Sequence, residues 1–290
     1  MFTLENETLL INVVAKGAEL TRIFHKQHKI EYLWDAKPEV WAKHSPVLFP
    51  VVGALKENSF LYEGKSYELS RHGFARDRVF EVGAYTADGI SFTLRDDDAT
   101  SKIFPFRFQF TITYRLTENT LSVTYLVHNP DAASPLLFSV GGHPAFRLPL
   151  EEGLQYEDYV LLFNKAENSG RWPISKEGLI ELEAKPLLEN TNELPLHKDL
   201  FSKDALVLKG LKSDSVRLAS AKSDHGIQFN FPGFPFLGLW AAPGADFLCI
   251  EPWCGIADSV QHNQQLEQKE GIIKLPAGQT FSAAWQVSCF

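Results

Sequence analysis

Residues 106–127, FRFQFTITYRLTENTLSVTYLV, alternate between apolar and polar side chains on both sides of a short turn. Every even position from Phe106 to Leu116 is apolar, and every odd position between them is polar or charged. After the turn at 117–119, apolar residues return at Leu121 and at every second position to Val127. Because successive side chains of a β-strand point to opposite faces, this period predicts a long antiparallel hairpin with one buried and one polar face.

The rest of the chain carries shorter runs of the same kind, separated by turn residues. Further hairpin turns are predicted at Lys16-Gly17, Glu63-Gly64-Lys65 and Ala87-Asp88-Gly89. Further strands are predicted at Ala205–Leu208, Val216–Ala219, Gly226–Phe231, Phe236–Trp240 and Phe281–Val287. Helical patterns are scarce: two short helices are predicted at Pro38–His44 and Asp98–Ile103, and a turn or two at His197–Ser202.

Many short strands, frequent turns and few helices predict an all-β protein, a large antiparallel β-sandwich. The segment Leu150–Leu196 is rich in acidic and polar residues and is interpreted as extended surface excursions rather than a linker. We therefore expect a single domain over residues 1–290.

Composition and charge exclude several classes of function. The 290 residues carry a formal net charge of −8, which does not favour general nucleic-acid binding. The sequence has no signal-peptide pattern and no run long enough to span a membrane, which predicts a cytoplasmic protein without a membrane partner. Cys249, Cys254 and Cys289 lack zinc-ligand spacing and are predicted to be reduced thiols, mostly in the core.

Three distant segments put a titratable side chain at the end of a predicted strand. His143 follows two glycines after the predicted buried strand Leu136–Val140. His72 lies among three arginines and directly before a glycine. Glu251 ends the apolar run Phe247–Ile250 and is followed by proline and tryptophan.

Each of these residues alone also has an ordinary structural interpretation, as a loop histidine bonded to the backbone or a glutamate facing water. Together they predict an acid–base set. Histidine exchanges protons near neutral pH, and a partly desolvated carboxylate beside the Trp253 indole has a raised pKa. Proton transfer at two oxygens needs groups of this kind.

Five motifs, in this order and across nearly the whole chain, carry a resemblance to a known family. They are LFPVVG (48–53), YEGKSY (62–67), RHGFAR (71–76), GHP (142–144) and IEPW (250–253). They resemble the aldose 1-epimerases, or galactose mutarotase-like proteins, and most of all the LacX-like branch.

This resemblance implies a β-supersandwich fold and an isomerase that interconverts the α and β anomers of an aldohexose without a cofactor. It implies that Glu251 takes the proton of the C1 hydroxyl and that His143 protonates the ring oxygen. His72 matches the second family histidine, which hydrogen-bonds near the ring oxygen. Asp204 is similar to the family aspartate that holds sugar hydroxyls.

Basic residues close in sequence raise the question of a phosphorylated sugar. Lys56 lies in the region where galactose mutarotases carry a sugar-binding arginine. The setting of Arg76 resembles the glucose-6-phosphate epimerase branch, whose arginines hold an anionic group. Arg71 and Arg76 are therefore candidates for bidentate phosphate binding. The alternative is that these residues and Arg78 pair with surface carboxylates such as Asp77.

Four tryptophans are candidates to pack against a sugar ring, and Trp253 is favoured because it follows Glu251 so closely. The others are Trp34, Trp41 and Trp240, and the core is the alternative place for all four.

Three other functions stay open from the sequence. One is a carbohydrate-binding protein of the same fold without turnover. Another is a metal enzyme that uses His72, His143 and Glu251 as ligands. The third is a glycosidase with Glu251 and Asp204 as its carboxylate pair. The predicted partner is a small-molecule sugar or sugar phosphate, and the predicted assembly is a monomer or homodimer.

Overall fold

Antiparallel strands build the protein, and the computed structural model describes all residues from Met1 to Phe290. The strands are Phe2–Glu5 (β1), Leu9–Val13 (β2), Leu20–His25 (β3), Ile30–Glu31 (β4), Val47–Leu48 (β5), Ser59–Tyr62 (β6), Lys65–Glu68 (β7), Glu81–Tyr85 (β8), Gly89–Arg95 (β9), Gln109–Thr117 (β10), Thr120–His128 (β11), Leu136–Phe138 (β12), Val140–Gly142 (β13), Ala145–Arg147 (β14), Tyr159–Trp172 (β15), Lys185–Pro195 (β16), Leu206–Lys209 (β17), Ser215–Ser220 (β18), Ser223–Asn230 (β19), Phe236–Trp240 (β20), Phe247–Cys254 (β21), Ile273–Leu275 (β22) and Thr280–Cys289 (β23). The all-β prediction is confirmed.

One α-helix is present, Asp98–Ser101 (α1), within the range predicted for it. Short 3-10 turns lie at Lys56–Asn58, Ala75–Asp77, Tyr156–Asp158, Lys198–Phe201 and Leu266–Gln268. No helix reaches the length and hydropathy that a membrane-spanning segment requires.

One sheet of 15 strands dominates the topology. Its order is β5-β13-β21-β20-β17-β15-β18-β19-β23-β11-β10-β9-β8, with β14 also paired to β21 and β16 to β15. Strands β1–β4 form a separate four-stranded sheet, and β12 with β22 and β6 with β7 form two-stranded ones.

The hairpin predicted from residues 106–127 is present as β10 and β11. Its register pairs Thr117 with Thr120 across the turn, and β10 and β11 each alternate between buried and more exposed residues. The ladder begins at Gln109, three residues after the alternation does, and Phe106 and Phe108 are buried without joining it.

The apolar faces of these strands meet in a cluster of 72 buried side chains. A smaller cluster of eight residues, which includes Ile180, Val207 and Trp253, lies apart from it. All three cysteines are free and buried, as the sequence predicted.

The predicted helix at Pro38–His44 is wrong. The N–H groups of Val40 and Trp41 both donate to the Lys37 carbonyl, which makes a single turn. The chain then extends, because the N–H groups of residues 44 and 45 donate to the Glu19 carboxylate at 2.8 and 3.1 Å. A helix would leave that partly buried carboxylate without these donors.

Two other predictions need correction. The expected single strand Leu136–Val140 is interrupted at Ser139, whose N–H donates to the Pro50 carbonyl at 2.7 Å, so that β12 and β13 enter different sheets. The segment Leu150–Leu196 is not only surface excursions, because it contains the two longest paired strands, β15 and β16.

Candidate active site

Strand β21 brings the first two candidate residues together. It pairs with β13 at Gly141 and Trp253 and with β14 at Ala145 and Cys249. Both pairings share one antiparallel register, which puts position 143 directly opposite position 251. Side chains opposite each other in an antiparallel pair leave the same face of the sheet.

Glu251 therefore lies in the middle of a strand, not at its end as the sequence suggested. All eight residues of β21 are buried, and β20 covers its other edge with Gly238 opposite Glu251. A Cβ on Gly238 would lie 2.4 Å from the Trp253 ring, and one on Gly141 would lie 2.7 Å from it. Both glycines are thus needed for the indole to fit beside the carboxyl group.

The imidazole and the carboxyl group are in direct contact. Nε2 of His143 lies 3.3 Å from Oε2 of Glu251, with the residues 9% and 1% exposed. Burial raises the pKa of Glu251 well above its usual range, partly opposed by the Arg71 guanidinium and the Trp253 indole N–H. Burial, with a smaller contribution from the neighbouring cations, lowers the pKa of His143 to about 3.

Both pKa shifts favour the neutral forms, a carboxylic acid beside a neutral imidazole. Moving one proton across the contact turns this pair into a carboxylate beside an imidazolium with no change in net charge. Oε2 of Glu251 and Nδ1 of His143 are buried and make no aligned hydrogen bond. Since buried polar atoms are normally paired, both atoms have hydrogen-bonding capacity that the protein itself does not use.

His72 enters the same cavity from another part of the chain and is held rigidly. Its backbone is in the left-handed region with φ of 68°. Two reciprocal bonds to Gly53 fix it: the His72 N–H donates to the Gly53 carbonyl at 2.9 Å, and the Gly53 N–H donates to Nδ1 at 3.1 Å. The His72 and His143 ring centroids are 5.9 Å apart.

These bonds give His72 a different chemical character from His143. Because Nδ1 accepts a backbone N–H, the neutral ring carries its proton on Nε2. Burial lowers the pKa of His72 well below its usual range, with His143 and the nearby arginines contributing, so the ring stays neutral. His72 is therefore a fixed hydrogen-bond donor.

A buried ion pair supports the segment that carries Gly53. The backbone N–H of Asp258 donates to the Ala54 carbonyl, and its carboxylate accepts the Lys56 N–H, both at 2.9 Å. The other carboxylate oxygen binds Nζ of Lys269 at 2.8 Å, with both side chains at most 1% exposed.

Three charged residues predicted from sequence lie at the rim. Nη2 of Arg71 is 3.9 Å from Oδ2 of Asp204, and these side chains are 45% and 35% exposed. Arg76 is more buried; it donates to the Arg71 carbonyl at 2.8 Å, and its Nε is 3.8 Å from the Asp77 carboxylate. These loose ion contacts leave guanidinium N–H groups free for a ligand.

Lys56 and Arg78 lie outside the cavity. Nζ of Lys56 donates to the His262 carbonyl at 3.1 Å, and Arg78 faces Asp97 at 3.8 Å. Lys56 is therefore not a substrate-binding residue of this cavity, because its side chain binds the His262 carbonyl instead.

Two tryptophans are more prominent in the site than their sequence context indicated. The Trp41 ring stacks on His143 with centroids 5.1 Å apart, and Trp240 meets the imidazole edge-on at 5.8 Å. Trp253 also lines the cavity, whereas Trp34 is buried away from it.

Together these residues line a cavity of about 530 Å³, within the range of small-molecule sites. Its walls include residues that the sequence analysis missed: Lys43, Ser202, and Ile174 and Ile180 from the connection between β15 and β16. No local pattern marks them, because they lie in connections between strands that only the tertiary fold brings to the cavity.

Known proteins resemble this chain over nearly its whole length. A profile of the aldose 1-epimerase family matches residues 1–274. The chain belongs to the aldose 1-epimerase family. The plasmid and chromosomal forms of protein LacX from Lactococcus lactis subsp. lactis are each 34% identical over 280 residues, covering 94% of this chain and 93% of LacX.

Solved structures of family relatives have the same fold. A galactose mutarotase related enzyme from Lactobacillus acidophilus has a TM-score of 0.94 at 34% identity, covering 100% of this chain and 97% of its own. A galactose mutarotase-like protein from Lactobacillus casei ATCC 334 has a TM-score of 0.92 at 32% identity, with both chains fully covered. The predicted family and its galactose mutarotase-like fold are confirmed.

Of the five family motifs, four contribute residues to the cavity: LFPVVG supplies Gly53, and three others supply the titratable side chains. RHGFAR supplies His72 and two arginines, GHP supplies His143, and IEPW supplies Glu251 and Trp253. Residues from four of the motifs that carry the family resemblance therefore line one cavity.

Proposed function

We propose that the protein interconverts the α and β anomers of an aldohexose by acid–base ring opening. The observation that carries this proposal is the 3.3 Å contact between His143 and Glu251 inside a sugar-sized cavity. Membership of the aldose 1-epimerase family supports the reaction class.

In the proposed reaction, the Glu251 carboxylate takes the proton of the C1 hydroxyl while the His143 imidazolium protonates the ring oxygen. The bond between C1 and the ring oxygen breaks and C1 becomes an aldehyde carbon. Rotation about the C1–C2 bond and the reverse proton transfers close the ring as the other anomer. After opening, the pair is a carboxylic acid beside a neutral imidazole, which is the form that burial favours.

The other cavity residues have supporting roles in this proposal. His72, a neutral donor, hydrogen-bonds the ring oxygen or a hydroxyl beside it. Asp204 and Arg71 bind hydroxyl groups at the rim, and Trp41, Trp240 and Trp253 give apolar surface to the sugar.

The test is the exchange of anomers of a freshly dissolved α-hexose, followed by NMR or polarimetry, for a panel of free and phosphorylated sugars. Catalysed exchange above the buffer rate supports the proposal. Saturable sugar binding without any acceleration would instead identify a carbohydrate-binding protein of the same fold.

The cations at the cavity support a sugar phosphate as substrate. Lys43, Arg71 and Arg76 line it, against Asp204 and the buried Glu251. Guanidinium groups bind phosphate oxygens in pairs, and hydrogen bonds to charged groups contribute about 1.5–3 kcal/mol each.

Arg76→Ala should therefore raise KM for a hexose phosphate by roughly 10- to 100-fold and leave KM for the free hexose nearly unchanged. The matched control is Arg78→Ala, which removes a neighbouring arginine outside the cavity. Equal losses for the free and the phosphorylated sugar would exclude a phosphate-binding role for Arg76.

The pH profile of kcat/KM distinguishes a coupled pair from two ordinary groups. Because the pair is active while it holds one shared proton, the lowered pKa of His143 and the raised pKa of Glu251 widen the active range on both sides. We expect the acid limb of kcat/KM to move down toward the lowered pKa of His143, at about 3, and the alkaline limb to follow the raised pKa of Glu251. Unshifted groups would instead give a bell between about pH 4.3 and about pH 6.5, and such a bell would contradict the coupling.

A further inference from the structure

The imidazole–carboxyl pair has a third titratable neighbour that the proposed reaction does not use, the thiol of Cys249. Cys249 and Glu251 are two residues apart on β21, so their side chains leave the same face of the strand. One ligand atom from each of His143, Cys249 and Glu251 lies within 4.8 Å of the other two. All three residues are buried.

The donor set and its spacing fit zinc. Imidazole nitrogen, thiolate sulfur and carboxylate oxygen all bind Zn²⁺ at about 2.0–2.3 Å, and tetrahedral angles then separate ligand atoms by about 3.3–3.7 Å. The 3.3 Å between Nε2 of His143 and Oε2 of Glu251 already meets this spacing. The Cys249 sulfur, within 4.8 Å, needs to move by about 1 Å.

The charge balance also favours a divalent cation here. Binding releases one proton from the thiol and one from the carboxyl group, so two negative ligands offset the charge of the ion. The site is neutral before and after, and no net charge is buried. With three protein ligands, a fourth position faces the cavity, which His143 and Glu251 line.

We propose that His143, Cys249 and Glu251 form a site for a single Zn²⁺-like cation that enters through the cavity and blocks the proposed acid–base pair. This differs from the metal set considered from sequence, because Cys249 takes the position that was given to His72. Inhibition rests on the proposed function, whereas metal binding does not.

The first test is direct binding of Co²⁺ to the full chain, with Zn²⁺ as competitor. We expect about one ion per chain and a thiolate-to-cobalt absorption band. Cys249→Ala should remove the band and weaken binding at least about tenfold, since even groups outside the ligand shell affect metal affinity 10–100-fold. A wild-type protein without the band, or a variant that binds as tightly as wild type, would overturn the proposal.

Two control variants locate the site. Cys254→Ala removes another buried thiol of β21, five residues along and on its other face, and should leave the band unchanged. His225→Ala disrupts the stack of His25, His28 and His225 on another part of the surface and should also leave it unchanged. Loss of the band in either variant would show that the cobalt binds elsewhere and would contradict the proposal.

Proton release gives a readout that needs no variant and covers the case in which Cys249→Ala does not fold. Zn²⁺ binding to wild type should release two protons at pH values where both ligands are protonated, measured by calorimetry in buffers of different ionisation enthalpy. Zn²⁺ binding without proton release would overturn the site.

The second arm measures anomer exchange with Zn²⁺ present, each variant relative to its own rate without metal. Wild type should lose exchange over the range in which Zn²⁺ binds, and Cys249→Ala should need at least about ten times more Zn²⁺. Anomer exchange that continues in the zinc-loaded protein would contradict the proposal that the bound ion blocks the acid–base pair. Normal binding in a protein with no exchange activity would instead support the site and overturn the proposed function.

Discussion

Glu251→Gln should lower the rate of anomer exchange by about 10²- to 10⁴-fold, the usual contribution of a positioned acid–base group. Glutamine keeps the size and shape of the side chain but cannot accept and return a proton. Because burial already favours the uncharged form of Glu251, the neutral amide should be accommodated without loss of the fold. The rate is measured by NMR exchange, alongside thermal unfolding and sugar binding.

His143→Gln should lower the rate of anomer exchange by a similar factor. The double variant His143→Gln with Glu251→Gln should be little slower than either single variant. Two residues that exchange one proton act as a unit, so their effects do not add. The matched control is Glu183→Gln on the surface, whose side chain is 84% exposed, and it should exchange at the wild-type rate. Near-full activity in folded Glu251→Gln would contradict the proposed reaction.

The largest effect on stability should come from Asp258→Ala, at about 3–5 kcal/mol of lost unfolding free energy. The variant leaves Lys269, whose side chain is fully buried, without its carboxylate partner at 2.8 Å. Burial already lowers the pKa of Lys269 although Asp258 raises it, so removal of the carboxylate favours loss of the ammonium charge. Chemical denaturation at neutral pH measures the change.

An exposed ion pair of similar length is the control for Asp258. Nζ of Lys198 lies 2.7 Å from the Asp246 carboxylate, with the side chains 38% and 57% exposed. Asp246→Ala should cost no more than about 1 kcal/mol, because solvent screens both charges. Replacing both buried partners, as Asp258→Asn with Lys269→Met, should recover part of the stability lost in Asp258→Ala. Equal losses in Asp258→Ala and Asp246→Ala would show that burial of the pair is not what matters.

The acid–base candidates could be chosen from sequence because their local settings are unusual. His143 and Glu251 lie beside glycine, proline and tryptophan, and the ordered motifs pointed to one family. What the sequence did not contain was the register of β13, β14 and β21. That register puts residue 143 opposite residue 251, across more than a hundred residues of chain.

Several residues of the cavity wall could not be chosen from the sequence. Trp41 and Lys43 both lie in the segment predicted as a helix, and no sequence pattern marks Lys43 as a site residue. Trp41 stacks on His143 at the end of a single turn, and the Glu19 carboxylate holds the backbone that follows it extended. Lys56 is a candidate from sequence because it lies near the arginines, but its side chain donates to the His262 carbonyl outside the cavity.

The sequence alone determined the all-β class, the long hairpin and the residue types that can exchange protons, because period-two alternation and side-chain chemistry are local properties. Only the tertiary structure decided which of those residues touch, which histidine stays a neutral donor, and that Cys249 lies beside the pair. Those outcomes depend on burial and on pairing between distant strands, and neither is encoded within any single segment of the chain.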